Sequence, residues 1–118
     1  MEIRWIIFSI AGLLFLALFF FIWKMFHRKK VVEVYKDGKL KRVYYLLRKK
    51  KDGEELVYYP TGELNKKRKW KNDLPQGNFI IYFKNGKTYI TGIYHDGKYT
   101  GDYTIYDIEG KIIQTIKY

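Results

Sequence analysis

The stretch YFKNGKTYITGIYHDGKYTGDYTIYDIEGK, Tyr82–Lys111, decides how the chain folds. It says nearly the same thing twice: an aromatic or apolar run, a Gly-Lys pair, then more apolar residues. Aligning the glycines carries the pattern outward. Gly38, Gly62, Gly86 and Gly110 are 24 residues apart, and Gly53, Gly77 and Gly101 form a second series with the same spacing. Tyr58, Tyr82 and Tyr106 fall into one column, Trp70, Tyr94 and Tyr118 into another, and Val57, Ile81 and Ile105 into a third. The copies run over 47–70, 71–94 and 95–118, with a partial copy at 31–46. Internal periodicity of this kind is the mark of a stacked architecture, in which one unit cannot bury its apolar face alone.

Each unit reads as a β-hairpin. YKDGK and FKNGK place Asp-Gly and Asn-Gly between apolar strands, the strongest short-range hairpin signal. PTGE and IEGK keep the glycine and vary the rest. Strands of about six residues flank each turn, and the segments KNDLPQG and HDGKYTG read as loops into the next hairpin. The predicted fold is an N-terminal transmembrane α-helix followed by an all-β repeat domain, with antiparallel hairpins stacked into one twisted sheet.

The spacing Gly-x-aromatic-x-x-Tyr-x-x-x-Gly, as in GNFIIYFKNGK and GDYTIYDIEGK, resembles the MORN repeat in the variant form of bacterial antitoxin-like proteins. The likeness covers residues 31–118. It is specific in the last two copies, weaker in 50–70, and partial in 31–46, which lacks the leading glycine. The resemblance implies a β-hairpin solenoid without catalysis of its own and a role in protein–protein or membrane association.

Residues 1–4 form a short flank. Residues 5–23, WIIFSIAGLLFLALFFFIW, hold no ionisable side chain, and a helix of that length covers the hydrocarbon core of a bilayer. Trp5 and Trp23 stand at its ends, where indole rings prefer the membrane interface. A cleaved signal peptide would have a shorter apolar region followed by small residues. Here the run ends in KMFHRKK, so an uncleaved anchor is expected. Lys24, Arg28, Lys29 and Lys30 of the basic linker 24–30 place the C-terminal domain in the cytoplasm by the positive-inside rule. A bacterial inner membrane is the expected location, with the opposite orientation as the alternative.

The formal net charge of +11 is concentrated. Residues 24–71 carry seventeen Lys/Arg against six Asp/Glu, whereas residues 72–118 carry five of each. Arg48, Lys49, Lys50 and Lys51, with Lys66, Lys67, Arg68 and Lys69, are the candidate anionic surface, facing lipid headgroups. Nucleic acid stacking on Trp70 and the tyrosines ranks behind, because a tethered domain has a nearer anionic surface. Tyr58, Tyr82 and Tyr106 read either as shared core between hairpins or as a partner-binding stripe. The last strand, KIIQTIKY, offers Ile112, Ile113, Ile116 and Tyr118 at an open sheet edge. A protein partner or self-association is expected there.

Chemistry is sparse. The chain has no cysteine, and its two histidines, His27 and His95, lack companions for a metal site. Asp102, Asp107 and Glu109 occupy variable positions with nothing to form a pocket around them. The glycines are spaced for turns, so no phosphate-cradling loop or cofactor is expected. The reading is a non-enzymatic, membrane-anchored scaffold or accessory subunit. An antitoxin or immunity protein neutralising a toxin is the alternative, and an anionic-lipid-binding module stands third.

Overall fold

The computed structural model describes residues 2–118, with side chains from Ile3 onward. Helix α1 spans Glu2–Phe26. Its apolar residues surround the axis on every side, and the whole span from Ile3 to Phe26 is exposed. A helix apolar all round has no amphipathic face to lay on a sheet, so it projects as a rod long and apolar enough to cross a bilayer. The helix continues past Trp23 because Lys24, Met25 and Phe26 are helix formers without a breaker among them.

The rest is one antiparallel sheet. Its strands are β1 (Lys29–Val34), β2 (Leu40–Leu47), β3 (Lys50–Lys51), β4 (Gly53–Tyr58), β5 (Leu64–Lys71), β6 (Leu74–Pro75), β7 (Gly77–Tyr82), β8 (Thr88–His95), β9 (Lys98–Tyr106) and β10 (Ile112–Lys117). The order is β1-β2-β4-β5-β7-β8-β9-β10, with β3 paired to β2 and β6 to β5. The short β3 and β6 run on into β4 and β7 beside the same partner strand, and otherwise each strand pairs with the next along the chain, so the sheet grows outward from the helix. The basic stretch 24–30 is divided between the last turn of α1, a joint of His27 and Arg28, and the start of β1. Arg28 fixes that joint, since its guanidinium reaches the Oδ1 of buried Asp52 at 2.7 and 2.8 Å.

Two kinds of turn alternate along the sheet. In the first, Gly38, Gly62, Gly86 and Gly110 each donate their N–H to the carbonyl three residues back, at 2.9–3.0 Å. At FKNGK only Gly86 takes a positive φ, 85°, whereas Asn85 does not. The turn is therefore a three-residue loop closed by a left-handed glycine. The second kind lies where the sequence reads as loops. Arg48-Lys49, Asn72-Asp73 and Asp96-Gly97 are two-residue turns with both φ angles positive, the twist-matched hairpin connection. These segments are tight hairpins that fold the chain straight back, not loops. They also stack. Asp73 N donates to Lys51 O at 3.0 Å, and Gly97 N donates to Pro75 O at 3.1 Å.

Lys49, at φ 68°, is a side chain where glycine fits best. Lys49→Gly is expected to stabilise the sheet by about 0.5–1 kcal/mol, read as a higher urea midpoint of the full chain in neutral detergent.

Candidate functional site

One face of the sheet changes character along its length. Near the helix it is ionic. Glu55 on β4 is fully buried, at 0% exposure. Its carboxylate accepts from Arg68 Nε on β5, from Lys51 Nζ at 3.0 Å and from Trp70 Nε1 at 3.1 Å. Arg42 on β2 approaches to 3.7 Å and also pairs with Glu33 at 2.7 Å. Two rings close the cage. Lys51 Nζ lies 4.5 Å from the Trp70 ring and 5.0 Å from Tyr44, and Arg68 lies 4.7 Å from Trp70, within cation–π range. Burial pushes the Glu55 pKa up, but hydrogen bonds and charge from Lys51 and Arg68 outweigh it, so the carboxyl is held below its ordinary value.

Strand alternation builds this cage. Glu55 sits opposite Arg68, Gly53 opposite Trp70, and Val57 opposite both Arg42 and Lys66, so these residues share a face. Lys66 is half-buried there, and burial with neighbouring Arg68 lowers its pKa. Lys67 and Lys69 point to the opposite face, where both are exposed and Lys67 reaches Glu54 at 3.8 Å. Arg48, Lys49 and Lys50 lie exposed at the turn between β2 and β3. The eight basic residues grouped in the sequence therefore fall in three places, and Lys51 and Arg68 are committed to Glu55.

Farther along, the same face is aromatic. Phe79, 24 residues after Glu55, is only 4% exposed. It packs against Tyr94 at 4.8 Å, and Tyr94 stacks on Tyr99 at 4.9 Å. Tyr103 and Tyr118 each approach Tyr99 to 5.3 Å. Burial, with Tyr99 adjoining, pushes the Tyr94 pKa up to about 12. Two ring atoms of Phe79 lie close over Gly92, where an added Cβ would meet them at 2.4 and 2.5 Å. Only glycine permits that approach.

Tyr58, Tyr82 and Tyr106 are half-buried at the strand ends rather than gathered into an open stripe. The carbonyls of the first two accept hydroxyl bonds, from Tyr35 at 2.8 Å and from Tyr59 at 2.6 Å. β10 is an edge strand. Ile112 and Ile113 on it are 62% and 63% exposed, Tyr118 just beyond it is 59% exposed, and Ile116 is half-buried. Trp23 stacks on His27 at 4.3 Å, and Trp5 stands exposed near the other end of α1. Lys24, Lys29 and Lys30 are exposed around the joint.

The sequence reading missed the carboxylate at the centre of the ionic cage. A signal existed: Glu55 shares a column with Phe79 and Tyr103, and faces arginine and tryptophan positions on β5. Among the described residues no three His, Asp or Glu groups gather as a metal site. No protein-family model, curated protein or solved structure matches the chain.

Proposed function

We propose that the chain is a membrane-anchored, non-enzymatic binding module whose sheet holds a protein partner at the membrane. The observation that carries this is an open edge: β10 pairs on one side only, with β9, and its outer side is left free with Ile112 and Ile113 exposed and Tyr118 just beyond. An unpaired, apolar edge is a template for strand addition. Lys111 and Lys117 flank it without shielding its centre.

The anchor is α1, with the sheet on the cytoplasmic side by the charge of its flank. What supports the reading of the sheet as 24-residue, MORN-like units is the recurrence of turns, glycines and register. Register shifts fall at Glu33/Val34, Val57/Tyr58 and Ile81/Tyr82, and tyrosine hydroxyls from Tyr35 and Tyr59 cap carbonyls 23 residues on. Such stacks offer extended surfaces for binding.

The test is a mild-detergent pull-down of the full chain from its own membranes. A stoichiometric partner should appear, and should be lost both on deleting residues 112–118 and in Ile113→Lys, which keeps the strand but charges its edge. A partner retained by both variants moves the contact off β10. Leu14→Arg is expected to oppose insertion by about 3 kcal/mol and to release the chain on alkaline extraction of membranes. The chain has no cysteine, so a single Lys98→Cys reports the side on which the sheet lies.

A further inference from the structure

A cleft of about 700 Å³ opens where α1 meets the sheet. Its floor is apolar, made by Phe21 and Met25 from the end of the helix and Leu46 from β2. Four cations surround it: Lys24 and Lys29 at the joint, Arg48 and Lys49 at the β2–β3 turn. We propose that this cleft binds one anionic phospholipid, with its phosphate among the four cations and the upper part of an acyl chain along the floor. The proposal rests on α1 being the membrane anchor.

Three observations converge on that occupant. First, the floor is continuous with the exposed apolar surface of α1 through Phe21, so whatever enters lies at the depth where a bilayer passes from hydrocarbon to headgroup. Second, the charge is uncommitted. Arg28, beside the cleft, is neutralised by Asp52, whereas Lys24, Lys29, Arg48 and Lys49 are in no ion pair among the described residues. Third, the turn breaks its own rule to bring two of those charges here. The corresponding turns farther from the helix use Asn72-Asp73 and Asp96-Gly97, residues suited to positive φ. At the cleft the same backbone carries Arg48 at φ 50° and Lys49 at φ 68°. Local strain retained at one turn of a series is expected where that turn has a task.

The strained turn also supplies a clean test. Arg48→Asn with Lys49→Gly removes two cations while giving the turn its preferred residues, so the fold is kept. The full chain in neutral detergent, presented with phosphatidylglycerol or phosphatidylcholine and weighed by native mass spectrometry, should retain one phosphatidylglycerol in preference to phosphatidylcholine. In the double variant, retention should fall by about 30-fold, from roughly fivefold per cation near a lipid phosphate. Lys87→Gln with Lys98→Gln, equal in charge but remote, should change it by less than about twofold. Equal retention of the two lipids, or equal loss in both double variants, overturns the site in favour of diffuse attraction. Displacement of the lipid by an equal concentration of glycerol phosphate also overturns it, because the floor then contributes nothing. Failure of the anchor itself is read separately, as release of the unaltered chain by alkaline extraction.

Discussion

Glu55→Ala is expected to destabilise the sheet by about 3–5 kcal/mol, a large share of the stability of a small domain. The loss comes from what the alanine leaves behind. Arg68 and Lys51 would be held half-buried without their anion, Arg42 would keep only Glu33, and the Trp70 N–H would lose its acceptor. Urea unfolding of the full chain in neutral detergent, followed by circular dichroism, measures this directly. Glu55→Gln keeps the shape and one acceptor, so its cost should be smaller. A cost below about 1 kcal/mol for the alanine variant would mean that the cations relax into solvent and that the cage contributes little.

The same group sets an acid limit. Its folded pKa lies below the ordinary carboxylate value, and the unfolded chain titrates near 4.3. The folded state therefore binds fewer protons, and stability rises with pH through that window. The contribution of Glu55 is fully present above about pH 4.3. It is lost as pH falls through the depressed folded value. In Glu55→Gln this part of the acid limb should disappear, while the part due to Glu33, lowered by its bond to Arg42, should remain.

The second large effect lies on the aromatic side. Gly92→Val is expected to cost about 3 kcal/mol. Its backbone φ lies outside the left-handed region, and a β-branched residue suits a strand, so the cost is chiefly steric. The new Cβ would stand 2.4 and 2.5 Å from two Phe79 ring atoms and 3.3 Å from Tyr103. Phe79 is hemmed in by Tyr94, Tyr99 and Tyr103 and has little room to swing away. Trimming the ring should restore much of the loss, so Gly92→Val with Phe79→Leu should be more stable than Gly92→Val alone. If the second substitution adds its own cost in full, the ring is not the obstacle.

Much of the architecture could be read from residues. The uninterrupted apolar run reads as a helix because nothing in the chain could bury it, and it runs on to Phe26 because the basic flank also favours helix. The turn glycines are legible because a left-handed position leaves few alternatives. The turn at Arg48-Lys49 was not, since neither residue signals positive φ; it becomes visible only beside Asp96-Gly97, its counterpart two units on. The site residues were harder. Consecutive lysines look like one charged block, but a strand sends neighbours to opposite faces, which separates Lys66 and Arg68 from Lys67 and Lys69. Whether a cation meets water or a buried carboxylate depends on the strand across from it, and that register is set by turns the sequence conceals.

Glu55 and Phe79 hold matching places in successive hairpins, and this bears on a hazard common to chains built from look-alike parts. Similar hairpins can dock in each other's seats, within one molecule or between neighbouring copies. A hairpin displaced by one unit would set the Glu55 carboxylate against the rings of Tyr94 and Tyr99, far from Arg68 and Lys51. Burying an unpaired charge costs several kcal/mol, enough to reject the exchange. The alternation of an ionic and an aromatic seat therefore disfavours such an exchange, within one chain or between two, and ties each hairpin to its own position.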